Sequence, residues 1–347
     1  MIVAAAVLTA LAGVARYVSG VPHVIAFVVA GLALAVAAWI VSFATEQVGS
    51  RLGTEVTGLL QSTLGNLPEF FVVLFALEAG ERVVAETAIL GSILVNALLV
   101  LGMVIVAGSL RAPDGVMRFS ARLPNDTATL LMIASFIILL VGLADSSHDP
   151  ASHHVKAISV VSAVAILAVY GVWVRQYLGG RRTGSQSKPG AESARLPAVA
   201  ALVLLGGAGL ASALVSEWFV HALEPTIHQL HISQAFAGLV IVAIAGNAVE
   251  HGVGVVLAAK GHAELAISVV KNSVAQIAAF LYPVLVLVSL LTATTLTFAL
   301  APVYAGALVV TAVIVWQITG DGEATPFEGA ALIAVFVILA TVAAFEG

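Results

Sequence analysis

One short pattern, Gly-Asn-x-x-Glu, occurs twice in this chain, once in each half. The two copies read Gly65-Asn66-Leu67-Pro68-Glu69 and Gly246-Asn247-Ala248-Val249-Glu250. Each copy lies inside a long hydrophobic segment. A carboxylate in the hydrocarbon core of a bilayer is energetically costly and usually functional. Because the same costly side chain recurs at the same spacing, the pattern predicts a cation transport site built from two related halves.

The residue types of the motif suit a hard cation such as calcium, which binds oxygen ligands from carboxylates, amides and backbone carbonyls. Glu69 and Glu250 supply negative charge. Asn66 and Asn247 lie about one helical turn earlier on the same face and supply neutral oxygens. Two structural interpretations stay open, namely a carboxylate pair that only holds the bundle together and asparagines that hydrogen-bond between helices.

The two copies differ in how they could open the backbone. Pro68 cannot donate a backbone hydrogen bond and clashes with the preceding turn, so the first copy predicts a break that frees the carbonyl of Leu64. The second copy has Val249 in that place, so any opening there must come from Gly246 and Asn247. Irregular backbone at membrane depth is tolerated only where it lines a cavity or is buried in protein.

Two carboxylates that face each other in a medium of low dielectric constant cannot both stay charged without a counterion. One divalent cation can replace two protons with no change in the charge of the site. The pair would therefore bind metal and protons alternately and titrate as a coupled unit. These residues thus predict exchange of a cation for protons.

The composition requires that these motifs sit in a membrane protein. Of the 347 residues, 61% are hydrophobic and only 10% are charged, and the mean hydropathy is +1.10. A soluble domain has about 25% charged residues. The chain has no cysteine and no interleaving of basic and aromatic residues, which argues against disulfides, thiolate metal sites and nucleic-acid binding. We find no nucleophile–base constellation or nucleotide-binding motif, so an enzyme is not expected.

Apolar runs of about 20 residues, the length that spans a bilayer, predict the fold class. The chain is expected to be an all-α polytopic membrane protein with about 11 transmembrane helices. The predicted spans are residues 2–18, 23–43, 56–79, 84–109, 127–144, 155–178, 197–221, 233–259, 264–290, 297–317 and 327–345.

A polar, Gly- and Ser-rich linker at residues 179–195 divides the chain. Residues 1–20 are expected to form an extra N-terminal transmembrane helix, residues 21–178 a first five-helix repeat, and residues 196–347 a second one. The linker and most other Lys and Arg residues follow even-numbered spans, which predicts a cytoplasmic linker, a cytoplasmic N-terminus and an external C-terminus. The compact loops favour a prokaryotic inner (plasma) membrane, and a vacuolar membrane stays open as the alternative.

The two halves are predicted to be inverted relative to each other. Glu69 lies in the third span and Glu250 in the eighth, and this odd offset means that the motifs cross the membrane in opposite directions. Such inverted repeats place a substrate site near the bilayer midplane. Further matched residues support the repeat. They are Thr45-Glu46 with Ser216-Glu217 before the motifs, and Gly91-Ser92 and Asn96 with Asn272-Ser273 and Gln276 after them.

The segments GNLPEFFVVLFAL, ILGSILVNALLVLG and IVAIAGNAVEHGVGVVLAAK resemble the paired alpha-repeats of the cation/proton exchanger (CAX) family, within the calcium:cation antiporter superfamily. The resemblance covers essentially the whole chain. It implies calcium/proton exchange by alternating access, with Glu69 and Glu250 as the central calcium and proton ligands. By the same resemblance, the residues that line the site would be Asn66, Asn247, Ser92, Asn96, Ser273 and Gln276.

The resemblance implies no cofactor, since calcium is the transported substrate. The expected partners are calcium ions, protons and the lipid bilayer, with no nucleic acid. The resemblance leaves a homo-oligomer open as a further partner, and the residues do not decide it. Packing alone would also account for Ser92, Asn96, Ser273 and Gln276.

Several residues near the motifs are candidate modulators. The family usually has Gly-Ser-Ser-x-Gln in the ninth span, where this chain has Asn272-Ser273-Val274-Ala275-Gln276 preceded by Lys271. Lys271 could pair with a glutamate and compete with the metal, or reach the membrane interface by snorkelling. His251 beside Glu250 could relay protons. Glu46 and Glu217 are expected at helix interfaces or cavity mouths rather than as direct ligands.

Three other functions stay open. Sodium or potassium/proton antiport would be favoured if Lys271 removed one unit of charge from the site. A cation channel lined by the same residues would conduct without proton counter-movement. A non-transporting scaffold is least favoured, because it gives no reason for paired acids inside the membrane.

Overall fold

The structure is a computed structural model that describes residues 2–49, 51, 60, 63–180 and 196–346. Most of the predicted linker, from residue 181, lies outside the described residues. Residues 52–59, 61 and 62 of the third predicted span also lie outside them. The described chain is helical apart from loops and one short antiparallel ribbon, in which Met117–Arg118 pairs with Glu323–Ala324.

The helices follow the predicted apolar runs closely, because long apolar segments in a bilayer must satisfy their own backbone hydrogen bonds. Those of the first half are α1 (Ile2–Tyr17), α2 (His23–Gly49), α3 (Leu67–Glu78), α4 (Arg82–Arg111), α5 (Arg122–Ser146) and α6 (Val155–Gly180). Those of the second half are α7 (Ala198–Leu230), α8 (residues 234–259), α9 (Ala263–Leu291), α10 (Pro302–Thr319) and α11 (Pro326–Ala344).

Among the described residues, eight of these helices are long and apolar enough to cross a membrane: α2, α4, α5, α6, α7, α9, α10 and α11. Helix α1 has 16 residues and α3 has 12, and both fall short of that length. Helix α8 bends by 68° between Ala248 and Glu250. The prediction of an all-α polytopic membrane protein is confirmed.

Helix α7 is longer than predicted. The apolar run ends near residue 221, but the helix continues to Leu230 and contains Pro225. His231 ends it in the left-handed conformation, with φ of 53°. The 33 residues of α7 exceed what a bilayer core requires, so the polar last turns are expected to project beyond the apolar layer.

Helices α2 and α7 pack against each other along their length, and each also packs against the motif-bearing helix of the other half. Helix α7 packs on α3, and α2 packs on α8. The rings of Phe27 and Phe219 stack between α2 and α7, with centroids 4.6 Å apart. This arrangement holds both motifs against one central helix pair.

Helices α4 and α8 cross at very short range because glycines lie at the crossing. A Cβ atom on Gly91 would lie 2.6 Å from the Cα of Leu239, and one on Gly238 would lie 2.8 Å from the carbonyl oxygen of Val84. Glycine allows such backbone approach between membrane helices. The crossing brings Ser92, next to Gly91, up to the second motif.

Candidate cation-binding site

The helix that carries the first motif is interrupted at Asn66. Residues 63–65 are helical, Asn66 forms a turn, and α3 starts at Leu67. Pro68 therefore lies in the first turn of a new helix, where its missing N–H removes no hydrogen bond. The interruption at Asn66 agrees with the prediction for Pro68, because a proline disturbs the helical turn that precedes it. Glu69 lies in the same first turn, at the positive end of the helix dipole.

The second motif is also irregular, but at a different residue. Gly246 and Asn247 stay within the helix, and α8 bends between Ala248 and Glu250. We predicted that any opening would come from Gly246 and Asn247, so this prediction is corrected by about half a turn. Both motifs thus interrupt a helix just before their glutamate, as helices that line a transport site do.

Each motif glycine lies against the glutamate of the other motif. A Cβ atom on Gly65 would lie 2.9 Å from Oε1 of Glu250, and one on Gly246 would lie 3.8 Å from the Cβ of Glu69. The carboxylates of Glu69 and Glu250 are close enough to interact electrostatically. The structure therefore places the two acids at one site, with each supported by the opposite half of the chain.

Hydrogen bonds between polar neighbours complete the site. Ser273 donates its hydroxyl to Oε2 of Glu250 at 2.7 Å. Asn247 donates its amide to the hydroxyl of Ser92 at 3.1 Å, and the same amide faces the carboxylate of Glu69. These contacts join α8 to both α4 and α9.

The other predicted lining residues are buried, with contacts of their own. Asn96 donates to the carbonyl of Ser92 at 2.9 Å, across one turn of α4. Asn66 is 3% exposed and precedes α3. Gln276 is also buried, and its side chain lies against the hydroxyl of Tyr170 in α6. Asn96 lies within a π-helical turn, and Gln276 directly precedes another. Such turns are frequent at functional sites.

Among the described residues, no basic side chain forms an ion pair with either glutamate of the site. Glu69 is 3% exposed, and neither of its carboxylate oxygens has a well-formed hydrogen bond among the described residues. Glu250 is partly exposed. No salt bridge to either glutamate is found in the described part of the chain, nor a group of three or more His, Asp or Glu placed to hold a metal. A buried carboxylate without a cation must bind one or become protonated.

Lys271 is buried but pairs elsewhere. Its ammonium donates to the hydroxyl of Thr319 at 3.2 Å, at the last residue of α10. With 2% exposure it does not snorkel to the interface, and no ion pair with a glutamate is found in the described part of the chain. The negative end of the α10 dipole is a suitable neighbour for this cation.

The remaining modulators lie around the site. His251 follows Glu250 and is buried, with no partner for Nε2 among the residues described. Glu46 is half-buried in α2. Glu217 forms a salt bridge of 3.3 Å with Arg16 and so joins α7 to α1. Glu217 is thus an interface residue, one of the two roles expected for it.

Two contacts near the site were not predicted from the sequence. Ser216 donates its hydroxyl to the carbonyl of Pro68 at 3.3 Å. Thr319 accepts from Lys271. The repeated Thr45-Glu46 and Ser216-Glu217 pattern was a usable signal for Ser216, but nothing in the sequence pointed to Thr319.

The unequal space at the two glycines predicts unequal effects of alanine. In Gly65→Ala the new methyl group would displace the Glu250 carboxylate from the position held by Ser273. Forcing a side chain off its rotamer costs about 0.5–1.5 kcal/mol, so we expect the affinity for the transported cation to fall about 3- to 10-fold. In Gly246→Ala the new methyl group would lie at an ordinary contact distance of 3.8 Å from the Cβ of Glu69, so the affinity for the cation should change little. Concentration dependence of transport in proteoliposomes measures both, and equal effects would contradict the geometry.

Comparison with protein families gives one match, found in both halves. The family model described as sodium/calcium exchanger protein matches residues 22–176 and again residues 200–345. The two matched segments lie on either side of the polar linker.

Individual relatives cover nearly the whole chain. The chain is 31% identical over 304 residues to the Ca(2+)/H(+) antiporter ChaA of Bacillus subtilis. This alignment covers 86% of this chain and 85% of that protein. It is 31% identical over 338 residues to a Ca(2+)/H(+) antiporter of Synechocystis, with 90% and 89% covered. Among solved structures, native YfkE superposes with a TM-score of 0.80 at 26% identity, covering 99% of this chain and 98% of that one.

Proposed function

This chain belongs to the sodium/calcium exchanger protein family, and we propose that it exchanges calcium ions for protons across the membrane. It is a secondary transporter and not an enzyme. The observation that carries the proposal is the meeting of Glu69 and Glu250, where Gly65 abuts one carboxylate and Gly246 lies against the other glutamate. Two antiporters named for calcium and protons are 31% identical to it.

The charge at the site supports calcium and protons in particular as the two exchanged ions. Glu69 and Glu250 together offer two negative charges, and the hydroxyl of Ser273 lies against Glu250. The amide of Asn247 lies against Glu69 and donates to the hydroxyl of Ser92. One calcium ion or two protons would each neutralise the two carboxylates. Calcium prefers such a set of carboxylate and neutral oxygens. Either occupant leaves the site neutral, which couples the two ions.

We further propose that the chain crosses the membrane eleven times, as α1 followed by two inverted repeats of five helices. The repeats are residues 21–178 and 196–347, joined by a cytoplasmic linker at 179–195. The family model matches once in each half, which supports the repeat. The helix after each motif also has a π-helical turn, at Val95–Val100 and Ile277–Leu281. In this topology the N-terminus is cytoplasmic, the C-terminus external, and the membrane a prokaryotic inner membrane.

Alternating access follows from this arrangement. Cytoplasmic calcium binds Glu69 and Glu250 and displaces their protons. The helices that cover the site then change position, and calcium leaves on the other side. External protons reset the carboxylates. Asn66, Asn96 and Gln276 are proposed to line the path, with His251 and Glu46 near it.

Sodium or potassium exchange is less well supported. That alternative required Lys271 to neutralise one site carboxylate, whereas its ammonium donates to Thr319. The hydrogen bond therefore supports a site with both negative charges available to the cation.

The proposal is tested by ion flux in proteoliposomes of the purified chain. With an imposed pH gradient, we expect calcium uptake to be accompanied by proton movement in the opposite direction. Sodium or potassium should not replace calcium. Cation flux that leaves the internal pH unchanged would indicate a channel, and flux of monovalent cations alone would contradict the calcium assignment.

A further inference from the structure

A buried hydroxyl of α7 reaches the first motif. Ser216 is fully buried, and its Oγ donates to the carbonyl of Pro68 at 3.3 Å. Pro68 is the residue directly before Glu69. The contact therefore joins α7 of the second half to the turn that positions the glutamate of the first half.

The equivalent hydroxyl of the first half has no such contact. Thr45 of α2 is also fully buried, but its Oγ1 has no hydrogen-bond partner among the described residues. Helix α2 packs on α8 as α7 packs on α3. The carbonyl that corresponds to that of Pro68 is the carbonyl of Val249, directly before Glu250. The two halves thus differ in one hydrogen bond at matched positions.

This difference has an energetic consequence. A buried hydroxyl without a partner is unfavourable, because it has lost its hydrogen bonds to water. The bend of α8 lies at Val249, and helix bends disturb the backbone hydrogen bonds around them. An acceptor for Thr45 is therefore expected close to this bend once α2 and α8 change their relative position.

We propose that Ser216 and Thr45 form a pair of alternating hydroxyl contacts. In one access state Ser216 bonds the carbonyl of Pro68, and in the other Thr45 bonds the carbonyl of Val249. The inference rests on the proposed alternating access between inverted repeats. Each contact favours the state in which it is made, because a group shifts an equilibrium by its differential interaction with the two states. Ser216 and Thr45 are positioning residues and touch no transported ion.

Cysteine accessibility tests this proposal directly, since the chain contains no cysteine. Two separate variants each carry one reporter cysteine at a partly exposed position. Ser42→Cys lies in α2 three residues before Thr45, and Ala213→Cys lies in α7 three residues before Ser216. A membrane-impermeant maleimide is applied in the absence of calcium, and the ratio of the two labelling rates reports the access state. We expect Ser216→Ala and Thr45→Val to move this ratio in opposite directions by about 3- to 10-fold, the range of one hydrogen bond.

Matched variants separate this effect from packing. Ser212→Ala removes another buried hydroxyl, one turn earlier in α7, for which the described part of the chain offers no partner, and it should leave the ratio unchanged. Thr45→Ser keeps the hydroxyl and should resemble the wild type. Where Thr45→Val lowers the yield of folded protein, Thr45→Ala replaces it.

Opposite shifts support the alternation, and every other pattern contradicts it, including shifts in one direction or a shift in one variant only. Calcium flux of the wild type is measured separately in proteoliposomes. Absent calcium/proton exchange would contradict the proposed function, whereas accessibility shifts of the wrong pattern would contradict only the hydroxyl pair.

Discussion

Glu69→Gln and Glu250→Gln are each expected to abolish calcium uptake driven by a pH gradient. Each substitution removes one of the two charges that meet at the site while it preserves the shape of the side chain. At an effective dielectric constant of about 20, one unit charge about 4 Å from another contributes about 4 kcal/mol, and a divalent ion would lose about twice that. Half of this energy already lowers calcium affinity about 1,000-fold.

The measurement is calcium uptake and internal pH in proteoliposomes that contain equal amounts of each variant. Glu78→Gln is the matched control, because Glu78 lies on the same helix as Glu69 but is exposed. It should transport as the wild type does. Substantial proton-driven uptake by either site variant would reject the assignment of the two glutamates.

Gly91→Ala and Gly238→Ala are expected to have the largest effects on stability. The new methyl group of Gly91→Ala would lie 2.6 Å from Cα and 2.7 Å from the carbonyl carbon of Leu239. That of Gly238→Ala would lie 2.8 Å from the carbonyl oxygen of Val84 and 3.0 Å from the amide nitrogen of Ala88. These atoms belong to the backbone and cannot rotate away, so α4 and α8 must separate. Overpacking of this kind costs about 1–3 kcal/mol, and occasionally more.

Thermal unfolding of the purified protein in detergent measures this loss. Gly206→Ala is the control within α7, because its added Cβ would meet no described atom within 4 Å apart from the neighbouring backbone of its own helix. Alanine favours a helix over glycine by about 1 kcal/mol, so this control should be neutral or slightly stabilising. If all three variants unfold at the same temperature, the close crossing of α4 and α8 is wrong. Transport should also fall in Gly91→Ala, because the crossing holds Ser92 against Asn247.

Hydropathy predicted where the helices lie, because an apolar segment that crosses a bilayer must satisfy its own backbone hydrogen bonds and therefore forms a helix. The run at 84–109 corresponds to α4 at Arg82–Arg111, and the run at 264–290 to α9 at Ala263–Leu291. Hydropathy did not predict the end of α7, since the last turns of that helix are polar and lie beyond the apolar run. Apolar runs cannot reveal breaks in a helix. Pro68 indicated the turn at Asn66, whereas the bend before Glu250 lies about half a turn after Gly246 and Asn247, where it was expected.

The repeated motif identified the two acids, because a costly intramembrane carboxylate that recurs at one spacing is seldom only structural. The sequence did not predict the contact that Lys271 makes. One-dimensional proximity to Ser273 suggested a partner in the site, but successive residues on a helix point in different directions. The side chain of Lys271 instead reaches Thr319, 48 positions later in the chain.

What the sequence determined by itself was the class of protein, the course of the apolar helices and the pair of glutamates in the repeated motif. These follow from composition, segment length and repetition, which are properties of the chain alone. Only the tertiary structure decided which groups touch, such as Gly65 with Glu250, Ser273 with Glu250 and Ser216 with the carbonyl of Pro68. Such contacts depend on how helices cross and bend, and helix packing is set by many weak interactions between segments distant in the chain.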